Sequence, residues 1–451
     1  MLRWACSRVS ARYLHRIVHV RLMSISLSPS PDDNAPTFTF PEEPLGLPAT
    51  AGYGFFQGTP YDELGLDGRF QLQAKLGFGT NCSVWLAKDR QLNSHVAVKI
   101  LSGYASQLNA EMKLRELTVH ERLSALPAEE TKHCSQLIAH FIHKGIEKDG
   151  DHLCLVLKLE QATLAAVHNE HRGEFYPVPI VKRILLHILR GLAALHKCRV
   201  AHTDLKPDNI MVGLLPSSTT QGIDAWVLEH EPHVYGPCQS LDKVVTQAFV
   251  STQMPLPSMA ELETCDFKVA DFSNAQELDD WTSNEVTSLT LRAPEIILGG
   301  PWNEKIDIWS LGCLVFTLLT HQPLFPHGVK PIHHEHLRPG FEPTEKGIET
   351  DYVLWLITLF TDQRYPSGVL DLYANSRDYF EENGDWKRFK KGYGRRPLDM
   401  CIHDTGRTVP DEDIAGACSL MKRCLQLNPT DRPSAIELLN DPWLQYKQVS
   451  I

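Results

Sequence analysis

The eight residues HTDLKPDN, from His202 to Asn209, constrain this chain more than any other stretch. Asp204 can accept a hydroxyl proton, Lys206 can neutralise phosphate charge, and Asn209 can hold a divalent metal ion. Phosphoryl transfer depends mainly on positioning and on charge stabilisation, and three such groups within a few residues supply both. The block therefore predicts a phosphoryl-transfer site.

Later segments extend this site. Asp271 follows a short predicted strand, FKVA, where its carboxylate can act as a second metal ligand. The triplet Ala293-Pro294-Glu295 comes next, and then the run Ile306–Leu319, which is apolar apart from Asp307 and a few small polar residues. A helix that is apolar all round is a buried one. Each segment alone could be structural, so their order along the chain carries the prediction.

A glycine-rich turn lies earlier in the chain, between two predicted strands. Its sequence, LGFGTNCSV, spans Leu76–Val84. Glycines of a dinucleotide-binding fold must open a helix, so this context argues against that fold. It favours a hairpin whose backbone N–H groups cover nucleotide phosphates while Val84 packs on the base. Candidate binding residues in this turn are Gly77, Phe78, Gly79 and Cys82. Cys82 stands where a third glycine is usual, and an inert filler is favoured over a reactive thiol.

Lys99 ends the apolar strand Val96-Ala97-Val98-Lys99. A buried ammonium needs a partner. In a helix predicted over about 108–125, Glu116 interrupts an apolar stripe and can supply that partner, with Glu111 as the competing carboxylate. That stripe consists of Met112, Val119 and Leu123. The alternative is a surface lysine and a surface glutamate that never meet.

Composition excludes several classes of protein. The chain of 451 residues has no apolar run of membrane-spanning length, which excludes a transmembrane helix. Its 11 cysteines include no C-x-x-C pair, so neither a disulfide framework nor a zinc ribbon is predicted, and a reducing compartment is implied. The net charge of −11 disfavours nucleic acid as the main partner and suits a basic substrate, although acidic surfaces also serve solubility.

Three segments read as peripheral. Residues 1–31 hold five Arg and no acid, which is typical of a mitochondrial presequence, with an unstructured basic tail or a misjudged start as alternatives. Residues 32–69, rich in Pro and Gly, read as a linker. Residues 213–267 read as a flexible insert, because they are acidic and rich in Ser, Thr and Pro. The histidines at 333–336 are expected to lie in a solvated loop.

Together these segments resemble the protein-kinase signature set, over residues 70–445. Thr203 stands where most kinases carry Arg, and this resembles the SR-protein kinase family, especially its divergent fungal members. The segments LGFGTNCSVWLAKD, LRAPEIILGGPWNEKIDIWSLGC and NPTDRPSAIELLNDPWL are similar to the same family. The resemblance implies a two-lobed α+β fold, with a β-rich N-lobe over 70–160 and a helical C-lobe over 161–446. The insert 213–267 occupies that family's spacer position.

The resemblance also implies a function, namely ATP-dependent phosphorylation of serine in Arg/Ser-rich splicing proteins. Asp204 would accept the hydroxyl proton, Lys206 would stabilise the transferring group, and Lys99, held by Glu116, would grip the ATP phosphates. Mg²⁺ would be held by Asn209 and Asp271. The nucleotide site would comprise Leu76, Gly77, Phe78, Gly79, Cys82, Val84, Ala97, Lys99, Leu157, Lys158 and Leu159. Ser288 would position the substrate, and Glu295 would pair with Arg432.

Departures from the family pattern carry further expectations. Thr203 cannot pair with a phosphate, so activity without activation-segment phosphorylation is predicted. Ser273 replaces a glycine beside the metal ligand and restricts the backbone there. Glu349 and Asp351 are candidates for docking an Arg-rich substrate, whereas Thr358 stands where the family often has Glu.

Two rival functions remain from the sequence: a kinase-fold scaffold that binds ATP without turnover, and a small-molecule phosphotransferase. Retention of Lys99, Asp204, Asn209 and Asp271 argues against the scaffold. The expected partner is a basic protein substrate, with no direct nucleic-acid or membrane contact, and a monomer is expected. The family resemblance places the protein in cytoplasm and nucleus, with mitochondrial import through residues 1–31 as the alternative.

Overall fold

A computed structural model of the chain describes residues 23–25, 38–40, 42–239, 245–281, 283, 286–326, 332–344, 347–365, 370–390 and 396–445. An antiparallel sheet forms the first lobe and a mainly helical part forms the second, which is the predicted two-lobed α+β architecture. The strands are β1 Met23–Ile25, β2 Phe38–Phe40, β3 Glu63–Leu64, β4 Phe70–Phe78, β5 Cys82–Asp89, β6 Ser94–Leu101, β7 Leu137–His143, β8 His152–Lys158, β9 Ala162–Thr163, β10 Val200–Ala201, β11 Ile210–Val212, β12 Cys238–Gln239, β13 Val245–Thr246, β14 Phe267–Val269 and β15 Gln276–Glu277. The helices are α1 Gly103–Ala110, α2 Glu116–Ser124, α3 Ala128–Thr131, α4 Leu164–Glu170, α5 Val178–Lys197, α6 Thr220–Glu229, α7 Met259–Leu262, α8 Pro294–Ile297, α9 Lys305–Thr320, α10 Ile348–Thr361, α11 Ser376–Tyr379, α12 Leu398–His403, α13 Asp411–Cys424 and α14 Ala435–Leu438.

The N-lobe is built on a six-stranded sheet with the order β3-β4-β5-β6-β8-β7, and every neighbouring pair is antiparallel. In β6, Val98 and Ile100 are buried on one face, so Lys99 between them lies on the other face. The glycine-rich turn joins β4 to β5 as predicted. Val84 is the cross-strand neighbour of Lys99. The pairing of β5 with β6 therefore fixes the position of the glycine-rich turn relative to Lys99.

The helical segment predicted over 108–125 consists of two helices. Helix α1 ends at residue 110 and α2 begins at Glu116, so the two are separated by a short connection. Within it Met112 has φ of +58° and an exposed side chain, so it does not belong to the predicted apolar stripe. Val119 and Leu123 on α2 are buried as predicted.

Helices α5 and α9 form the centre of the C-lobe core. All but two residues of α9 are buried, in agreement with the apolar sequence of this helix. Helix α13 crosses α9 at Gly312, where an added Cβ would come within 2.7 Å of Cys424 Cβ. A small sheet, β14-β11-β9, lies beside this core. Its pairing of Ile210 with Val269 brings Asn209 next to the segment that carries Asp271.

The linker predicted over 32–69 is wrong for residues 42–69, which pack on the N-lobe. Phe55 and Phe56 are buried, and Phe56 meets Trp85 of the sheet edge-on at 6.4 Å between ring centroids. Glu42 and Glu43 both accept hydrogen bonds from Lys75 Nζ in β4. The Pro and Gly content shows that the chain turns often, but not that its apolar side chains have partners.

The sequence predicted a flexible insert over 213–267 rather than core, but the described part of it is folded. It contains α6 and α7 and the pair β12–β13. Ile223, Trp226 and Met254 form a buried cluster with Leu86 and Leu159. The insert therefore adds core to the molecule.

Nearly all of the predicted presequence, residues 1–31, falls outside the described residues. Among the helices of the described ranges, none is both long enough and apolar enough to cross a lipid bilayer.

Candidate active site

A cavity of about 570 Å³ lies between the two lobes, a size that suits a small-molecule ligand. The glycine-rich turn and β6 line it from one side, and the HTDLKPDN block and Asp271 from the other. All the residues predicted for nucleotide binding line it: Leu76, Gly77, Phe78, Gly79, Cys82, Val84, Ala97, Lys99, Leu157, Lys158 and Leu159. The predicted nucleotide residues are thus collected in one place.

Lys99 lies between two carboxylates. Its Nζ donates to Glu116 Oε1 at 2.6 Å and to Asp271 Oδ1 at 2.8 Å. Glu116, the first residue of α2, is therefore the partner, rather than Glu111, which is paired with Lys113. Burial acts to lower the pKa of Lys99, but Asp271 and Glu116 overcome it and raise that pKa well above its ordinary value. The ammonium is charged, as a phosphate ligand requires.

Asp204 lies at the centre of the HTDLKPDN block. Its Oδ2 accepts from Lys206 Nζ at 2.6 Å and from Asn209 Nδ2 at 3.0 Å. Asn274 Nδ2 adds a longer contact of 3.4 Å to the same oxygen. With three donors on Oδ2, Oδ1 is the oxygen that the described residues leave for a substrate hydroxyl.

Asp307 of α9 holds the backbone of this block in place by hydrogen bonds. Its carboxylate accepts from the backbone N–H groups of His202 (2.8 Å) and Thr203 (2.9 Å), and it contacts His196 Nε2 at 2.9 Å. Burial acts to raise the pKa of Asp307, but the bond to His196 and the neighbouring His202 hold it below its ordinary value. Thr203 has φ of +65°, an uncommon conformation that these bonds stabilise.

Asn209 and Asp271 offer oxygen ligands suited to a hard cation such as Mg²⁺. Because Asn209 Nδ2 donates to Asp204, the side-chain oxygen Oδ1 of Asn209 remains for a metal ion. Burial acts to raise the pKa of Asp271, but Lys99 and Ser273 hold it well below its ordinary value, so the carboxylate is ionised. Ser273 Oγ donates to Asp271 Oδ1 at 2.8 Å. The residue that replaces glycine thus orients the proposed metal ligand.

The activation segment, residues 271–295, is tied to α2 by ion pairs. Arg115, which precedes α2, lies 2.6 Å from Asp280 and 3.3 Å from Glu277. Arg122 of α2 also pairs with Glu277. The hydroxyl of Thr203, at the position where Arg is usual, donates to Asn274 O at 2.7 Å. The carboxylates of Glu277 and Asp280 therefore attach this segment to α2 and its flanking Arg115, a task that a phosphate group could also perform.

The hydroxyl that contacts the HTDLKPDN block is that of Thr287, not of Ser288. Thr287 Oγ1 donates to Thr203 O at 2.6 Å. In the described part of the chain, the Ser288 hydroxyl has no hydrogen bond. Thr287 has φ of +68°, and its own carbonyl accepts from Arg292 Nε and Nη2 at 2.9 and 2.6 Å. Thr287 is thus a further residue in contact with the block, and the substrate-positioning role of Ser288 stays a prediction.

Other sequence candidates have structural roles. Asp351 is buried and pairs with Arg388 at 2.6 Å, so it cannot dock an incoming arginine as it stands. Desolvation raises the pKa of Cys82, which lines the cavity, to about 12, so its thiol stays protonated at neutral pH. His333 and His334 are exposed, as expected for a solvated loop. The predicted pair of Glu295 with Arg432 is present as two bonds of 2.7 and 2.8 Å.

Sequence reasoning missed several residues of the site. Asn274, Gln161 and Met254 line the cavity. Asn274 is only three residues after Asp271, so the sequence could have suggested it. Gln161 and Met254 have no neighbouring motif that marks them, because Met254 belongs to the insert and reaches the cavity only when the insert folds against the cleft. Asp307 was visible as a lone acid in an apolar helix, the pattern of a buried carboxylate with specific partners.

Comparisons with known proteins agree with this geometry. A family model described as "Protein kinase domain" matches residues 70–217 and 258–444, and the unmatched middle falls within the insert. The serine/threonine-protein kinase SRPK of Physarum polycephalum is 27% identical over 83% of this chain and 85% of its own length. The protein kinase dsk1 of Schizosaccharomyces pombe is 24% identical over 84% of this chain and 80% of its own length. The serine/threonine-protein kinase SKY1 of Saccharomyces cerevisiae is 36% identical, but over 35% of this chain and 21% of its own length.

Proposed function

Because this chain belongs to the protein kinase domain family, we propose that it transfers phosphate from Mg-ATP to serine in Arg/Ser-rich proteins. Its relatives include proteins named serine/threonine-protein kinases, and it is a kinase of that kind, similar to the SR-protein kinases. Kinase domains use ATP and a divalent metal. The observation that carries the proposal is the meeting of Lys99, Glu116 and Asp271 opposite Asp204 in one cavity.

Each residue has a distinct task in the transfer. Asp204, oriented by Lys206 and Asn209, accepts the proton of the serine hydroxyl through the oxygen that these donors leave. Lys99 binds the nucleotide phosphates, and its pair with Glu116 keeps it aligned with the cleft. Lys206, 2.6 Å from Asp204, lies where it can stabilise charge on the transferring phosphoryl group.

Asn209 and Asp271 would hold the magnesium ion. When bound, such an ion would supply positive charge to neutralise the nucleotide phosphates. The protein holds the side-chain oxygen of Asn209 and the carboxylate of Asp271 in fixed orientations for this ion. Asp204 fixes the first, and Ser273 fixes the second.

Two features bear on the substrate class. The net charge of −11 and the names of the relatives support a basic, Arg/Ser-rich substrate. Asp351 is already paired with Arg388, so docking through α10 relies on Glu349, which is only half-buried in its first turn. We therefore expect the substrate preference to rest on charge near the cleft more than on a preformed pair at Asp351.

The test is transfer of labelled phosphate from Mg-ATP to an Arg/Ser-repeat peptide, with plain basic and plain acidic peptides alongside. Asp204→Asn should abolish transfer, whereas Asp411→Asn, at an exposed acid that begins α13, should leave it unchanged. Selective transfer to the repeat supports the full proposal. Transfer only to a plain basic peptide overturns the substrate class and keeps the kinase. ATP binding without transfer to any protein would instead indicate a scaffold.

A further inference from the structure

One wall of the nucleotide cavity comes from the insert. Residues 249–257, here called the strap, return across the mouth of the cleft after the described part of α6 and β13. Three successive strap residues, Thr252, Gln253 and Met254, line the cavity together with the glycine-rich turn. The family match omits this part of the chain. The wall is therefore a feature of this protein's own insert.

The strap is anchored to the N-lobe by several hydrogen bonds. Thr252 N–H donates to Lys75 O at 2.8 Å, directly before the glycine-rich turn. Ser251 donates through its N–H and Oγ to Glu42, at 3.0 and 2.7 Å. Phe249 packs edge-on against Trp85, with ring centroids 6.1 Å apart. One end of the strap is thus attached to β4, the strand that leads into the glycine-rich turn.

The other end is anchored to the C-lobe side of the cleft. Gln161, which is buried, donates from Nε2 to Pro255 O at 2.7 Å. A further contact of 2.9 Å joins His171 Nε2, just after α4, to Pro257 O. The side-chain oxygen of Gln161 also accepts from Ser218 Oγ at 2.7 Å, at the start of the insert. Six residues of strap therefore connect the two sides of the cleft, from Thr252 to Pro257.

Between the anchors, Met254 is buried in an apolar cluster. Its neighbours in that cluster include Leu159, at the back of the cavity, and Ile223 and Trp226 of α6. Helix α6 is itself attached to the N-lobe, because Lys88 of β5 donates to Asp224 at 2.9 Å. Met254 therefore has little freedom to leave the cavity wall while α6 is docked.

We propose that the strap is part of the nucleotide site and retains bound nucleotide, with Thr252 and Gln161 as its positioning residues and Met254 as its contact residue. Lobes that separate to release a nucleotide must lengthen the distance that the strap spans. Opening then requires the bonds at one anchor to break first. This inference rests on the proposed kinase function, since it assumes that Mg-nucleotide is what the cavity holds.

The experiment measures dissociation of a fluorescent ADP analogue from the full chain by stopped-flow displacement with excess Mg-ATP. Thr252→Pro removes the N–H at the N-lobe anchor, and Gln161→Met removes the bonds at the C-lobe anchor. Loss of one or two hydrogen bonds corresponds to about a tenfold faster release. Leu228→Ala is the matched control, because Leu228 lies on α6 but is 82% exposed.

Faster release from both anchor variants, with the control unchanged, supports the strap. Melting temperatures check that each variant is folded, and Ser251→Ala replaces Thr252→Pro if the proline prevents folding. Release at the wild-type rate from every folded variant overturns the strap while leaving the kinase proposal intact. Failure of the wild-type chain to bind Mg-nucleotide at all overturns both, so the two failures are distinguishable.

Discussion

At the scale of single residues, His120 of α2 makes the stability of the fold depend on pH. Its ring is buried, with its centroid 4.9 Å from that of Phe272, next to the proposed metal ligand Asp271. Burial, aided by the nearby Lys99, lowers the pKa of His120 from its ordinary 6.5 to about 3. The folded chain therefore keeps this imidazole neutral at pH values where the unfolded chain protonates it.

The lowered pKa of His120 makes the fold less stable as the pH falls. Between pH 6.5 and about 3 the unfolded state binds the extra proton, so the His120 contribution to stability is lost as the pH falls through that window. At pH 5 the loss is about 2 kcal/mol. We expect His120→Leu to remove it, which urea unfolding at pH 7 and pH 5 would measure. His140→Leu, at an exposed histidine, serves as the control. An unchanged difference between the two pH values would contradict the assignment.

Asp307 and Thr287 show what single-residue reasoning from sequence can reach. A lone acid in an apolar helix indicates buried hydrogen bonds, and the backbone of the catalytic loop supplies them. The contact of Thr287 with Thr203 could not be found in this way. It depends on the positive φ of Thr287, which turns its hydroxyl toward the loop, and adjacent residues with the same functional group carry no signal of that torsion.

At the scale of elements, α2 carries Glu116 to Lys99 and is itself joined to the activation segment by ion pairs. Arg115 precedes Glu116, Arg122 lies further along α2, and both form ion pairs with Glu277 of the activation segment. Both partners of the Arg115–Glu277 pair are largely buried, so the pair is shielded from solvent and is stronger than a surface pair. We expect a segment held by its own carboxylates to keep its position without an added phosphate.

We therefore expect kinase turnover to survive phosphatase treatment but not loss of this contact. Arg115→Ala and Arg122→Ala should each lower kcat/KM about tenfold to a hundredfold, because a charge-assisted hydrogen bond contributes about 1.5–3 kcal/mol. Arg199→Ala breaks the exposed pair with Asp279 and should have little effect. A large loss of turnover after phosphatase, or normal rates in both α2 variants, would show that something else positions the segment.

Sequence patterns predicted some elements well and others poorly, for physical reasons. Helix α9 was predictable because a helix that is apolar on all sides can only be buried. Helix α6 was not, because Ile223 and Trp226 are apolar residues in a polar stretch, and their partners lie far away in the sequence. The break between α1 and α2 was also missed, since Met112 fits helical spacing but takes a left-handed torsion.

At the scale of the whole molecule, the ion pair of Glu295 and Arg432 joins the activation segment to the segment just before α14, 137 residues later in the sequence. Both side chains are fully buried, and the guanidinium also lies 5.0 Å over the Trp309 ring of α9. Removing one member leaves the other charge in the core without compensation. The stability of the C-lobe therefore depends on this pair more than on any exposed one.

We expect Arg432→Met to lower the free energy of unfolding by about 3–5 kcal/mol, because it leaves Glu295 buried and unpaired. Urea denaturation would measure the change. Arg396→Met, which breaks a half-exposed pair with Asp404, should cost less than about 1 kcal/mol. The double variant Glu295→Met with Arg432→Met should recover part of the loss, since no lone charge remains. Equal effects of the two single Arg variants would contradict the assignment.

The contact of Glu42 and Glu43 with Lys75 has a practical consequence for anyone who prepares the protein. A fragment cut at residue 70, where the family match starts, would leave the Lys75 ammonium buried without either carboxylate and would uncover the Trp85 face that Phe56 now protects. Such a fragment would be expected to precipitate even though it holds every catalytic group. A fragment meant to stay soluble should therefore begin before Glu42, so that both carboxylates remain.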